Sequence, residues 1–149
     1  MVKIAIVVLV IAGVFAVNNQ LVSASIGTID GKLSPCPSTP NCVSSGQNNG
    51  SSAIDPLPLV SADVLSLIEG YLSSHYRAQV MSRKSHYLHV VVSTALFRFK
   101  DDLEFLVDEE KGVVDVRSSS RFGYWDFGVN RSRIENIREF LEEKTGSSR

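Results

Sequence analysis

Leu103-Glu104-Phe105-Leu106-Val107-Asp108, Glu109-Glu110-Lys111-Gly112 and Val113-Val114-Asp115-Val116-Arg117-Ser118-Ser119 follow one another without a break. The first and third runs alternate apolar with polar residues, and the middle run is a turn ending in glycine, so the stretch reads as a β-hairpin. If Asp108 opposes Val113, Phe105 faces Val116 and Val107 faces Val114, which makes one side apolar. The same pairing puts Glu104 opposite Arg117 on the other side as a cross-strand ion pair. Two independent agreements therefore point to one register.

Working backwards, Tyr87 to Ala95 is a strand. Its centre, Leu88 and Val90-Val91-Val92, is apolar on both faces apart from His89, the pattern of an interior strand. Arg83-Lys84-Ser85 turns the chain back to a further strand over Tyr76 to Ser82. Before it, Val64, Leu65, Ile68 and Leu72 recur at helical spacing, with Ser61 as N-cap and Asp63 in the first turn. Forwards, Ile134, Ile137, Phe140 and Leu141 form the stripe of a last helix over about Arg131 to Lys144, capped by Asn130 and stopped by Gly146. The expected fold is α+β: helix, four-stranded antiparallel sheet, helix, with both helices on one sheet face.

The start of the chain has a different character. Lys3 precedes an apolar run from Ile4 to Val17, and Val22-Ser23-Ala24 fits a small-residue cleavage site, so residues 1–24 read as a signal peptide. The rival reading is a retained anchor. At 1.5 Å per residue the run makes a helix of about 21 Å, short of the roughly 30 Å hydrocarbon core, which favours cleavage. Only Lys3 of the 15 Lys and Arg lies in that segment, so the mature chain keeps 14 against 16 Asp and Glu. That near balance argues against nucleic acid as partner, and no stable membrane span is expected after cleavage. The mature protein is expected in the periplasm or outside the cell.

Residues 25–60 hold all five prolines and the polar run Ser44 to Ser52, and read as an irregular lead-in to a domain over 61–149. Cys36 and Cys42, separated by prolines in an exported chain, are expected to form a local disulfide. Closing so short a loop stabilises by about 2–2.5 kcal/mol.

Chemistry concentrates between the last strand and the last helix. Arg117 to Arg133 contains Arg117, Arg121, Arg131, Arg133, Asp126, two glycines and four aromatics. Such a junction offers backbone N–H groups to an anion. Arg131 and Arg133 would fall in the first helical turn, where the dipole disfavours cations by about 0.3–1 kcal/mol each. A bound anion would offset this; so would ion pairs with Asp126 and the hairpin acids. The candidate ligand-binding residues are Arg117, Arg121, Asp126, Asn130 and Arg131. Phe122, Phe127 and Val129 are expected to cover the core, leaving Tyr124 and Trp125 as the aromatics available to a ligand or membrane. Arg98, Asp101, Asp102 and Glu104 form a secondary polar cluster able to do acid–base work. His86 and His89 fall on opposite strand faces, so no metal site is expected, and no cofactor motif is present.

Three ordered segments carry a resemblance. Cys36-Pro37 through Ser45, then Leu96-Phe97-Arg98-Phe99 with Asp101-Asp102 and Glu104-Phe105, and finally Arg117-Ser118, Ser120-Arg121, Gly123-Tyr124 and Asp126 through Glu135 are similar to the uncharacterised family of domain of unknown function 1499. The resemblance spans about residues 33–141 and implies small, often exported bacterial proteins, with no known reaction. Trp125 departs from the smaller residue that family leads one to expect. Three functional expectations follow: a non-enzymatic envelope module binding an anionic small molecule or envelope protein; a hydrolase or lyase using Asp101, Asp102 or Asp126; and a scaffold using Tyr124 and Trp125.

Overall fold

The computed structural model describes residues 26–94 and 99–146; the signal peptide expected over residues 1–24, and Arg98, lie outside the described residues. In chain order the strands are β1 (Thr28–Ile29), β2 (Lys32–Leu33), β3 (Cys42–Ser44), β4 (Leu57–Pro58), β5 (Arg77–Arg83), β6 (Tyr87–Ser93), β7 (Lys100–Asp108) and β8 (Val113–Ser120). The helices are α1 (Val64–His75), between β4 and β5, and α2 (Val129–Gly146), after β8.

The β7–β8 hairpin has the register its pattern demands: Asp108 opposes Val113, Phe105 opposes Val116, and Glu104 opposes Arg117. β5 to β8 form an antiparallel meander, with a bulge in β5 between Val80 and Ser82. The sheet has six strands, not four. β3 pairs with β8 through Cys42–Ser119 and Ser44–Arg117, and β4 pairs with β8 through Leu57–Val114. The two short strands therefore act as two halves of one edge. Both belong to the proline-containing segment expected to be irregular, which is drawn in further by Arg131 and Arg138. These α2 side chains donate to the carbonyls of Ser51, Ala53, Asp55 and Pro56.

Side chains alternate across the sheet, so its two faces differ completely. One carries Leu88, Val90, Leu103, Phe105, Val114 and Val116, which are fully or almost fully buried. Against them pack Val64, Leu65, Ile68 and Leu72 of α1 and Ile134, Ile137 and Leu141 of α2. Both helices thus cover one face, as α+β patterning requires. The opposite face bears Tyr87, His89, Asp102, Glu104, Arg117 and Ser119, and β2 packs against it over β7 and β8.

Local starts differ from expectation where two capping residues compete. α1 begins at Val64, with Asp63 rather than Ser61 in the cap position. α2 begins at Val129, and Asn130 is an interior, fully buried residue instead of the cap. Asp126 supplies the cap, its carboxylate accepting from the backbone N–H groups of Gly128 (3.0 Å) and Asn130 (2.9 Å). Cys36 and Cys42 are joined by a disulfide, with Cα atoms 5.7 Å apart.

Candidate functional site

Starting from the strand pairings, His89, Glu104, Arg117 and Ser44 share one cross-strand row on the polar face, and Val91, Asp102, Ser119 and Cys42 share the next. Glu104 and Arg117 pair within their row, while the Tyr87–Glu104 and His89–Asp102 contacts run diagonally between rows, as sheet twist favours. Glu104 Oε2 accepts from Arg117 Nη1 at 2.9 Å, while Oε1 accepts from Tyr87 Oη at 2.7 Å and Gly27 N at 2.6 Å. Burial, then the hydrogen bond to Glu104, pushes the Tyr87 phenol well above its ordinary value. Asp102 takes both Nε and Nη2 of Arg121 at 2.7 Å and lies 2.7 Å from His89 Nε2. Burial alone would raise the Asp102 carboxyl. The hydrogen bonds from Arg121 and His89 outweigh it and hold the group below the usual carboxylate value.

On the helix-covered face, Asp101 pairs with Arg133 Nη2 at 2.8 Å, and the Arg133 guanidinium lies 5.5 Å from the Tyr76 ring centre. Asp101 and Asp102 are therefore strand residues on opposite faces of β7. Their separation removes any shared acid–base role. Of the described members of the secondary cluster, Asp102 and Glu104 share the polar face, paired with Arg121 and Arg117, and Asp101 faces the helices, paired with Arg133.

The five candidate ligand residues occupy three environments. Arg117 is fully buried against Glu104. Arg121 is bound to Asp102 with its side chain 19% exposed. Asn130 sits in a buried network, accepting from Ser118 Oγ at 2.6 Å and donating to Ser120 Oγ at 2.9 Å and Asp126 Oδ2 at 2.8 Å. Only Asp126 and Arg131 meet at a concave surface. They line a groove of about 360 Å³ together with Tyr124, Trp125, Pro40 and Ser51. A larger cavity of about 600 Å³ lies at the other end of the sheet, between the β1–β2 hairpin and the β7–β8 turn. Asp30, Asp108, Glu109, Glu110 and Asp115 make it the wrong sign for an anion.

Between groove and helix the chain turns outward. Tyr124 is 71%, Trp125 64%, Phe127 87% and Val129 46% exposed. Phe127 and Val129 therefore do not cover the core, contrary to expectation. The cause is backbone geometry: Gly123 (φ 88°), Phe127 (φ 55°) and Gly128 (φ 78°) are all left-handed, and this path points the Phe127 ring away from the sheet. The Trp125 and Phe127 rings stack at 5.7 Å. Phe122 instead stacks on Phe99 at 5.0 Å.

The segments that build this junction coincide with a recognised sequence unit. The family described as "Protein of unknown function (DUF1499)" matches residues 32–141. The chain belongs to that family. No curated protein and no solved structure matches the chain. The DUF1499 match begins at β2 and ends within α2, so β3, β4 and the disulfide lie inside the family unit.

Two features of this DUF1499 domain were missed at the sequence level. His89 is the partner of Asp102; the β6–β7 register sets His89 opposite Glu104, on the same face as Asp102 and one row away from it. The outward Phe127 leaves no periodic signal, although a phenylalanine wedged between Asp126 and a glycine is a poor place to start a buried stripe.

Proposed function

We propose that this is an exported envelope protein whose domain is a non-enzymatic binding module, with the β8–α2 end as its working surface. The observation that carries the reading is the outward display of Tyr124, Trp125 and Phe127 beside the groove that Asp126 and Arg131 line. A soluble domain gains nothing in folding by exposing three aromatics in succession, so such a patch marks a contact surface. The disulfide supports an oxidising compartment, and among the described residues no helix is long and apolar enough to cross a membrane. The signal peptide over 1–24, its removal, and a periplasmic or extracellular destination belong to this proposal.

The ligand is anionic, either a small molecule or an envelope partner. Arg131 is the groove's cation, while Arg117 and Arg121 are already neutralised by carboxylates. The alternative of a hydrolase or lyase draws less support. Asp101 and Asp102 are committed to arginines, and both Asp126 oxygens cap α2. The test is titration of inorganic phosphate and glycerol phosphate, followed by melting temperature, alongside affinity capture from envelope extract. Wild type should gain stability or retain a partner, and Tyr124→Ala/Trp125→Ala should lose either effect. Equal behaviour of the two proteins refutes the module reading.

A further inference from the structure

The end of the sheet that carries the aromatics also carries a row of cations. Arg77, Ser93 and Lys100 are register partners across the ends of β5, β6 and β7. Arg121 continues the row, its N–H donating to the Lys100 carbonyl at 2.9 Å. Arg77 and Lys100 are exposed and make no salt bridge among the described residues. The nearby carboxylates are occupied: Asp101 by Arg133, Asp102 by Arg121, and Asp126 by the N-terminus of α2. This end is therefore net positive, whereas the β7–β8 turn at the other end bears Asp108, Glu109 and Glu110.

The aromatic loop and the cation row are parts of one surface. Phe99, 41% exposed, precedes Lys100 and stacks on Phe122, which leads into Tyr124, Trp125 and Phe127. Phe127 is the most exposed of these rings, at 87%. A protein partner would need a complementary pocket for each exposed ring, but a lipid interface deforms to accept them. Tryptophan and tyrosine favour the headgroup zone, where ring and polar tip are both satisfied. Cations beside such a tip are drawn to anionic headgroups. The apolar run Ile4–Val17 directs the chain to a membrane whether it is cleaved or retained.

We propose that the β8–α2 end of the domain docks on the surface of an anionic lipid bilayer, with Trp125 and Phe127 inserted into the interface and Arg77 and Lys100 against the headgroups. This rests on the module reading and names the partner of that surface. Docking by this end aligns the strands across the membrane plane and leaves the acidic β7–β8 turn facing away from the bilayer. Repulsion between that turn and the lipid then reinforces a single orientation.

Trp125 is the only tryptophan of the chain, so its emission reports on the proposed contact alone. The full chain without residues 1–24 is mixed with vesicles of equimolar phosphatidylcholine and phosphatidylglycerol, and with vesicles of phosphatidylcholine only. With the anionic vesicles the emission should shift to the blue, lipids brominated near the headgroup should quench it, and the protein should sediment with the vesicles. Trp125→Ala/Phe127→Ala should lower the partition coefficient at least about tenfold. Arg77→Ala and Lys100→Ala should each lower it about fivefold, on anionic vesicles only. Far-ultraviolet circular dichroism shows that each variant is folded. An unmoved Trp125 spectrum with the protein left in the supernatant overturns the lipid proposal. The module reading then survives if phosphate or an envelope protein still acts through Tyr124 and Trp125, and falls if neither does. A blue shift that appears without lipid as protein concentration and particle mass rise assigns the patch to self-association, and also overturns docking on lipid.

Discussion

Phe127 offers the sharpest test of whether the β8–α2 loop is shaped for packing or for display. Its ring is 87% exposed and its φ is 55°. The perturbation is a pair of substitutions, Phe127→Gly and Phe127→Ala. A non-glycine residue in the left-handed region costs roughly 1–2 kcal/mol. Glycine removes that cost but adds about 0.5–1 kcal/mol of backbone entropy in the unfolded chain. Losing the stack on Trp125 costs about 0.5 kcal/mol, the low end for an aromatic pair, because both rings are largely in water. Phe127→Gly should thus lie within about 1 kcal/mol of wild type. Phe127→Ala keeps the backbone cost and loses the stack, so alanine should be no more stable than glycine, the reverse of the usual order. A buried phenylalanine would instead lose about 3–5 kcal/mol on truncation. Urea unfolding followed by far-ultraviolet circular dichroism measures all three proteins. A loss near 3 kcal/mol in both variants, or a glycine variant clearly weaker than the alanine one, refutes the display reading.

Three further outcomes follow from the polar face and the disulfide. Glu104→Gln leaves the fully buried Arg117 without its anion and should cost about 3–5 kcal/mol, read from the urea midpoint. Combining it with Arg117→Met should cost less than the two single changes added together, by roughly 0.5–3 kcal/mol, and strict additivity would contradict a direct pair. The Asp102 carboxyl is held below its unfolded value, so its contribution is complete above about pH 4 and is lost as pH falls through the folded value. The stability gap between wild type and Asp102→Asn should therefore narrow on acidification below about pH 4, and a gap constant down to about pH 2 would disprove the linkage. Reducing the Cys36–Cys42 bridge should lower stability by about 2–2.5 kcal/mol, with Cys36→Ser/Cys42→Ser insensitive to reductant.

The parts of the fold legible in the sequence are those whose signal is local and periodic. The β7–β8 hairpin shows its register because one face is apolar and the other pairs Glu104 with Arg117. α1 and α2 show theirs through Ile68 and Leu72, and through Ile134, Ile137 and Leu141. β3 and β4 hold three and two residues, too few to show alternation, and β4 contains Pro58. Proline is tolerated there because β4 is on an edge. Their pairing with β8 is a long-range event with no local trace. At the β8–α2 junction, Asp126 and Asn130 are equally good caps by type, and only the three-dimensional closure of the loop selects Asp126. The arginine cluster was visible as a composition. Apart from Glu104 for Arg117, its partners were not, since Asp102 meets Arg121 across two strands and Asp101 meets Arg133 through a helix.

The edge formed by β3 and β4 sets an order of events. Asn41 donates to the carbonyl of Ser120, 79 residues further along, and Gly27 donates to Glu104 across 77 residues. β3, β4 and Gly27 therefore wait for β7 and β8 before they meet these partners. The chain has high contact order concentrated at its front, a topology that folds slowly and closes last where synthesis began. Until β8 is made, β3 lacks its strand partner, and the Cys36–Cys42 loop has no sheet edge to rest on.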